Sequence, residues 1–552
     1  MVIPRSATLG DILEEKAQAL GDKVFINCLA DGSQTTYVEL DRRTATIGSQ
    51  LIAMGIEFGS HVAILMDNCP EQLLCLWGIG RAGLVAVSVN TAAKGHLLTY
   101  FLNHSDSVAL IVEEALLERF VNVVQDCPRI RHVFVARVTG RASAITALSQ
   151  PANLGRAAEA LASTGATLLS FDEMNAADFE KSPRKPRFND VAMLMYTSGT
   201  TGPSKAIMFS HASLIYWGSD VAVQNEYVPE DIAYVFLPIF HGNALLSATL
   251  PALLANASIA LAPRFSTRSF WNDVRRSGAT VFNGLGPIAH FLWESPPSAA
   301  DREHRVNRCH LVPVPGFAKG FQERFGLRIF SAYGLTDYCR GAAYNSRCTP
   351  GKLGSAGLPI PEVELCIVDE DDFEVPCGTH GEIVMRNNVP WGASPGYYKE
   401  VEATLATRRN LWFHTGDRGW LDADGYLWYS DRIKDSIRRR GENISSFEVE
   451  EVIRTHAAVL EVAVYPVRAQ ASEDEVAASL ILRPGVAFSP RELLEHCNAN
   501  LAHFMVPRYI DIVESMPMTP SHKIEKYKLR QKAEENLDAL WDREREGVQI
   551  TR

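Results

Sequence analysis

No apolar run in the 552-residue chain reaches the roughly 20 residues that a bilayer-spanning helix needs, and the run at 244–254 stops well short. The opening stretch, MVIPRSATLGDILEEKAQAL, has no long apolar core and already carries acids, so it does not read as a secretory signal. Positive charge is not in excess: 54 Lys and Arg face 65 Asp and Glu, a formal net charge of -11, which argues against a nucleic-acid surface. A small anion is not excluded, because a few dipoles and cations can hold one. The ten cysteines contain no CxxC pair, and Cys69 and Cys75 stand too far apart for a metal knuckle. Reduced thiols in a cytoplasmic protein are expected, each a small buried hydrophobe. No internal repeat is visible.

What is present is an ordinary globular composition, 46% hydrophobic and 22% charged, in a chain too long for one core. Strand-like runs (VAILM at 62–66, LVAVSV at 84–89, ALIV at 109–112, HVFVA at 132–136) alternate with helical stretches. That rhythm predicts βαβ units and largely parallel sheets. A Gly, Ala, Ser and Asn stretch around 140–166 reads as a loose surface segment. From 353 to 430, short β-like runs separated by Gly and Pro predict a β-rich subdomain. A compact unit follows: a hairpin, a helix from about Phe447 with Ser445 and Glu448 spaced as a capping box, two strands (VLEVAVYPV and EVAASLILR) and a helix from about Pro490. The expected fold is α/β, with a large N-terminal domain over 1–430 and a small α+β C-terminal domain over 431–552.

One run carries the chemistry. YTSGTTGPSK at 196–205 follows the strand-like VAMLM, so it is a loop leaving a buried strand. Its small hydroxyl residues and glycines let a phosphate approach backbone N–H groups, and Lys205 adds a cation. The order is not that of a Walker A loop.

With its neighbours, this run resembles the adenylate-forming superfamily of acyl-CoA synthetases, peptide-synthetase adenylation domains and luciferases. TSGTTGPSK is similar to that family's phosphate loop, PIFHGNA at 238–244 to its acid-pocket segment, and AYGLTD at 332–337 to its YGxTE motif. HTGD at 414–417 is similar to the ribose motif, DRIKDSIRRRGENI at 431–444 to the hinge and glycine hairpin, and SHKIEKYKLR at 521–530 to the C-terminal lysine motif. The wording of RRRGEN and KIEKYKLR is most similar to the crotonobetaine/carnitine-CoA ligase-like branch.

The resemblance implies an AMP-forming acid–CoA ligase using ATP, Mg2+ and coenzyme A. Thr197, Ser198, Gly199, Thr200, Thr201, Gly202 and Lys205 would cradle phosphates, with Tyr333 and Gly334 beside the nucleotide. Thr336 would bind phosphate, Asp337 would hold Mg2+, and Asp417 would accept from the ribose hydroxyls near Arg432. Lys523 would bridge the carboxylate and the α-phosphate. The C-terminal domain would then turn about Lys434, bringing the Gly441 hairpin with Arg438 and Glu442 to the pantetheine arm and its phosphates. His241, Gly242, Asn243, Gly284, Gly286 and Tyr338 would line the acyl pocket, the glycines leaving room for a bulky or aromatic acid.

Four positions depart from the pattern. Asp337 replaces Glu, withdrawing the carboxylate by about 1.5 Å from an ion that wants oxygen at about 2.0–2.1 Å. Leu-Val-Pro-Val-Pro at 311–315 removes backbone donors where other members run small residues along the adenine. His522 stands where Gly usually precedes the lysine, and Ala206 replaces the Gly after Lys205. Two alternatives therefore stand beside the ordinary ligase. One accepts a preformed acyl-AMP, made by a separate adenylating partner, and performs thioesterification alone; the other loads a separate carrier protein.

Overall fold

The computed structural model describes residues 6–138, 151–171, 184–197, 204–432, 437–439, 442–444, 446–468, 474–501, 503–518 and 524–550. The chain divides into two compact units. One comprises Met1–Thr197, Lys205–Glu364 and Asn387–Ala406; the other comprises Ser198–Ser204, Leu365–Arg386 and Thr407–Arg552.

Among the described residues the first unit contains an eight-stranded and a nine-stranded sheet. The eight-stranded sheet takes the expected strands His61–Leu65, Val85–Ser88, Ser107–Glu113 and His132–Ala136 as parallel neighbours. It continues through Val191–Tyr196 to the antiparallel strand Ala206–Ser210. In the nine-stranded sheet, Ile232–Val235, Val281–Leu285, Arg308–Val312 and Arg328–Gly334 run parallel. The Arg308–Val312 strand ends at the residue before Pro313, which has no N–H to extend a ladder.

The reading of 140–166 as a loose segment is corrected from residue 151 onward, where Pro151–Ala162 is a helix followed by the strand Thr167–Ser170. Ala157 and Leu161, one helical turn apart, are buried. A composition that suggests a linker is here alanine-rich helix, since Ala has the highest helix propensity.

The helix Pro70–Arg81 is buried on nearly every side, as its apolar sequence LLCLWGIG requires. Its Trp77 ring lies 5.8 Å from Phe25 of the nine-stranded sheet, while Gly80 faces Ala192 of the other. It crosses the helix Tyr37–Ala53 with backbones in contact: a Cβ at Gly78 would lie 2.7 Å from the Thr44 carbonyl, and one at Gly48 equally close to the Gly78 carbonyl. Only glycine permits that approach.

The helix His211–Gln224 starts behind Ser210, whose hydroxyl accepts the Ser213 N–H at 3.1 Å. His211 is fully buried, and its Nδ1 accepts the Leu9 N–H at 3.2 Å, tying down the first helix, Leu9–Leu20. Burial pushes the His211 imidazole down from its usual range to about 4.

In the second unit a sheet in the order Val363–Val368, Gly381–Asn387, Phe413–Leu421, Leu427–Arg432 provides the expected β-rich part. The C-terminal residues form the order Val459–Arg468, Asp474–Leu482, Tyr509–Ile512, Trp541–Asp542. Alternation along its first strand fills two cores. Val462 and Val464 pack with Val449, Ile453 and Leu493, whereas Ala463, Tyr465 and Val467 pack with Leu529 and Ala533. The first core joins the helices Ser446–Arg454 and Pro490–Asn500, and the second the helix Lys526–Glu535. Ser445 of the expected capping box lies outside the described residues.

Two measurements test this account. Gly78→Ala should cost about 1–3 kcal/mol, by overpacking a backbone contact, and lower the urea midpoint without changing the slope. His211 is neutral when folded, so its contribution is complete above pH 6.5 and is lost as pH falls through 6.5 towards about 4. Between those limits the wild type should lose on the order of 3 kcal/mol more unfolding free energy than His211→Gln, measured by denaturant titration.

Candidate active site

In the first unit the strand Val191–Tyr196 leads into the expected phosphate loop, and the two ends of that loop are clamped together. Thr197 N–H donates to the Lys205 carbonyl at 2.9 Å, and Lys205 N–H donates to Thr197 Oγ1 at 3.1 Å. Ser198, Gly199, Thr200, Thr201 and Gly202 lie outside the described residues. Ala206 is fully buried opposite Tyr196, so its methyl group is part of the core, and its departure from glycine has a packing reason.

Thr336 and Asp337 stand at the centre of a turn. The Leu335 N–H donates to the Cys339 carbonyl at 3.1 Å, and the Tyr338 N–H donates back to the Leu335 carbonyl at 3.0 Å. The turn is tight enough that a Cβ on Gly334 would lie 2.6 Å from the Arg340 Cα. Tyr333 is buried just before it. Gly242 brings the acid-pocket segment against the same turn, since a Cβ there would sit 3.3 Å from Thr336 Oγ1.

His241 precedes the helix that begins at Gly242, its carbonyl accepting from Leu245 N–H at 3.1 Å. The segment before it is held by buried Asn68, which accepts from Ile239 N–H and donates to the Leu237 carbonyl, both at 2.8 Å. The half-buried Tyr338 is held by its hydroxyl, which accepts from Asn387 N–H at 3.1 Å. Thr336, Asp337 and the His241–Asn243 segment are thus brought together.

The glycine argument for a roomy pocket needs correction. A Cβ at Gly284 would meet Leu311 Cδ2 at 2.9 Å, so that glycine serves strand packing; at Gly286 a Cβ would make only ordinary contact with Pro313.

Tyr397 joins the phosphate loop to the turn, and sequence reasoning missed it. Its hydroxyl donates to Asp337 Oδ2 at 2.5 Å, and Lys205 Nζ lies 4.9 Å from the centre of its ring, within cation–π range. Its strand, Gly396–Tyr397, pairs with Ala206–Ser210, which fixes the ring beside Lys205. Nothing in SPGYYKE signalled this, because the contact spans 60 residues.

Asp337 is the acidic ligand available to Mg2+ in this turn. Among the described residues no group of three or more His, Cys, Asp or Glu could hold a metal. With a single protein carboxylate in this turn, Asp337 would hold an ion only if phosphate and water completed its oxygen ligands, which fits a metal that arrives with its nucleotide.

In the second unit Asp417 is 5% exposed and faces Arg432 across the strand pair, with Arg432 Nε 3.6 Å from its Oδ1. Its N–H donates to Thr415 Oγ1 at 3.0 Å, and Thr415 in turn donates to the Ile383 carbonyl at 2.6 Å. Gly416 supplies the left-handed residue, φ 69°, and its N–H donates to Glu382. The arrangement holds the carboxylate as a fixed acceptor.

The hairpin expected at 431–444 is present as Ile437–Arg439 paired with Glu442–Ile444, which puts the backbones of Arg438 and Glu442 on facing strands. Lys434, Gly441 and Lys523, and with them His522, lie outside the described residues. The charge run at 438–440 is not one solvated face. Arg439 is 2% exposed and pairs with Glu475 at 2.8 Å.

Comparison with known proteins agrees with this geometry. Residues 13–398 match the AMP-binding enzyme family, and residues 448–523 match the AMP-binding enzyme C-terminal domain. The chain is 28% identical over 538 residues to a crotonobetaine/carnitine–CoA ligase of Salmonella paratyphi A, covering 96% of this chain and all of that protein. An anthranilate CoA ligase in complex with anthranoyl-AMP superposes with a TM-score of 0.84 at 22% identity, over 97% of this chain and 99% of that one. ATP-bound MatB from Rhodopseudomonas palustris gives 0.81 at 24% identity, over 96% and 99%. No helix among the described residues is long and apolar enough to cross a membrane. Matched over residues 13–398 and 448–523, the chain belongs to the AMP-binding enzyme family, among its acyl-CoA ligases.

Proposed function

We propose that the protein converts a carboxylic acid to its CoA thioester through an acyl-adenylate, in two steps carried by the residues named above. The observation that supports this most is the turn that presents Thr336 and Asp337 beside Gly242, joined through Tyr397 to Lys205.

A carboxylate is a poor electrophile. In the first step its oxygen attacks the α-phosphorus of ATP, the bond to the bridging oxygen breaks, and pyrophosphate leaves. Lys205 and Thr336 hold phosphate oxygens, while Lys523 offsets the charge between carboxylate and α-phosphate. Asp337 would hold Mg2+, which when bound would supply further neutralisation of the phosphate charge. Asp417 orients the ribose by accepting from its hydroxyls, with Arg432 steadying the carboxylate. In the second step the CoA thiol loses its proton and attacks the acyl carbonyl, and AMP departs. We assign Gly441 to the passage of the pantetheine arm, Arg438 and Glu442 to its flanks, and Lys434 to the pivot of a C-terminal domain, 431–552, that turns between the steps.

A bulky or aromatic acid is the size class we assign, on the likeness to the anthranilate ligase. Relatives that hold ATP or an acyl-adenylate favour the two-step reading over the two alternatives. A cytoplasmic location is supported by the burial of Cys28, Cys69, Cys75, Cys127, Cys309, Cys339, Cys348 and Cys497 as free thiols.

Labelled pyrophosphate should exchange into ATP when a suitable acid is present and CoA is absent, and CoA should then yield thioester. Lys523→Ala should slow exchange by about 10²–10³ while sparing thioester formation from synthetic acyl-AMP, and Gly441→Leu should do the reverse. Equal loss of both steps in each variant would remove this division of roles. Tyr397→Phe frees the Asp337 carboxylate, so exchange should fall about tenfold or more and half-saturating Mg2+ should rise, with the thermal midpoint nearly unchanged.

A further inference from the structure

We propose that the acyl pocket selects an acid bearing a hydroxyl group, read by Asn283 and Ser247; this rests on the acid–CoA ligase reading above. The argument begins at Pro251. A proline has no N–H, so it cannot donate to the carbonyl of Ser247 four residues earlier. The helix loosens there into a π-turn over Leu245–Thr249, closed by the Leu250 N–H on the Leu245 carbonyl. Asn283, on the strand Val281–Leu285, satisfies the stranded carbonyl: its Nδ2 donates to Ser247 O at 2.7 Å and to Asn243 Oδ1 at 3.1 Å.

Those two acceptors commit both amide protons and fix which end of the amide is oxygen. The Asn283 Oδ1 is buried, in a residue 3% exposed, and finds no donor among the described residues. Buried carbonyl oxygens are rarely left so. Beside it, Ser247 Oγ accepts from the Trp217 indole N–H at 3.2 Å, and its own proton meets no acceptor among the described residues. One acceptor and one donor thus stand on two residues joined through the Ser247 main-chain carbonyl, and a hydroxyl is the group that both gives and takes a hydrogen bond. Trp217, Asn243, Ser247 and Asn283 are all uncharged. An ammonium or a carboxylate would be buried there without a partner, which disfavours both.

The place suits the far end of an acyl group. Asn243 follows Gly242, which lies against Thr336, so the network begins one residue from the turn assigned to the phosphate. Asn283 sits two residues inside the carboxyl end of its parallel strand, about 7 Å deeper at the usual rise per residue. Ligands of open parallel sheets bind at that end.

The test uses pairs of acids that differ only by hydroxyl against hydrogen: benzoic and phenylpropanoic acids with their 2-, 3- and 4-hydroxy partners, and octanoic acid with its hydroxy partners. CoA-ester formation gives kcat/KM for each member. Wild-type enzyme should favour the hydroxylated partner at one position by about 10²-fold or more, because a site built to hydrogen-bond a hydroxyl rejects the analogue without it. Asn283→Leu should collapse that ratio towards one. Ser247→Ala, which leaves the Asn283 contact with the residue 247 carbonyl intact, should reduce it about tenfold. A structural role alone would lower both members of a pair equally and leave the ratio unmoved, and that result overturns the proposal. Conversion of plain and hydroxylated acids at equal efficiency overturns it too while leaving the ligase standing. Failure of every acid in both pyrophosphate exchange and ester formation overturns the ligase reading and this one with it.

Discussion

Main chain meets main chain around Gly334 with no room for a side chain between, and the candidate chemistry of the first unit hangs on that approach. A Cβ at Gly334 would stand 2.6 Å from the Arg340 Cα, so the chain can fold back on itself directly after the strand Arg328–Gly334. The reversal lifts Thr336 and Asp337 clear of the sheet and sets them against Gly242. Tyr397 then fastens the far side of the turn to the strand that carries the end of the phosphate loop. The Thr336 hydroxyl and Asp337 carboxylate of one turn and the Lys205 ammonium of a segment remote in sequence are each positioned by backbone before the side chain is considered. Preorganisation of this kind is what lets fixed dipoles stabilise developing charge without reorganising during the reaction.

The second unit solves a similar problem differently. Asp417 is steadied by hydrogen bonds that run sideways through its sheet, from its own N–H to Thr415 and on to the Ile383 carbonyl, with Arg432 opposite. On the facing strand, next to Arg432, Asp431 accepts from both the N–H and the hydroxyl of Ser446, and Lys526 reaches Ser446 and Glu450. Glu450 is buried, which raises its carboxyl above the usual range, while the Lys526 ammonium opposes that rise. The residues on either side of Lys434 in sequence are therefore tied to one another by charge-assisted hydrogen bonds.

Much of this was legible in the sequence, for identifiable reasons. Strands such as His132–Ala136 are short apolar runs between polar breakers, and their period and length left little choice. The phosphate-loop, turn and ribose segments announce themselves because their residue types are local and contiguous. Pro151–Ala162 was not legible, because alanine and glycine serve linkers and helices alike and the tertiary burial of Leu161 decides between them. Tyr397 and Asn68 escaped, and so did the partners of Asn283, because each contact is remote in sequence: 60 residues for Tyr397, 171 for Asn68 and 36 for Asn283. For Asn283 a signal did exist. Pro251 in LLSATLP guarantees a carbonyl in need of a donor, though not where the donor would come from.

The glycines near the site carry a consequence for how such an enzyme can diverge. Gly334, Gly242 and Gly284 are each held by what stands opposite them, a main chain, the Thr336 hydroxyl and a strand-packing leucine. Mutational drift at any of them disturbs the reaction for every acid at once. Asn243 and Ser247 close no turn and pack no strand against another, so exchanges there alter which acid fits while the adenylating apparatus stays as it is. Lineages built on this scaffold can therefore change diet without relearning chemistry.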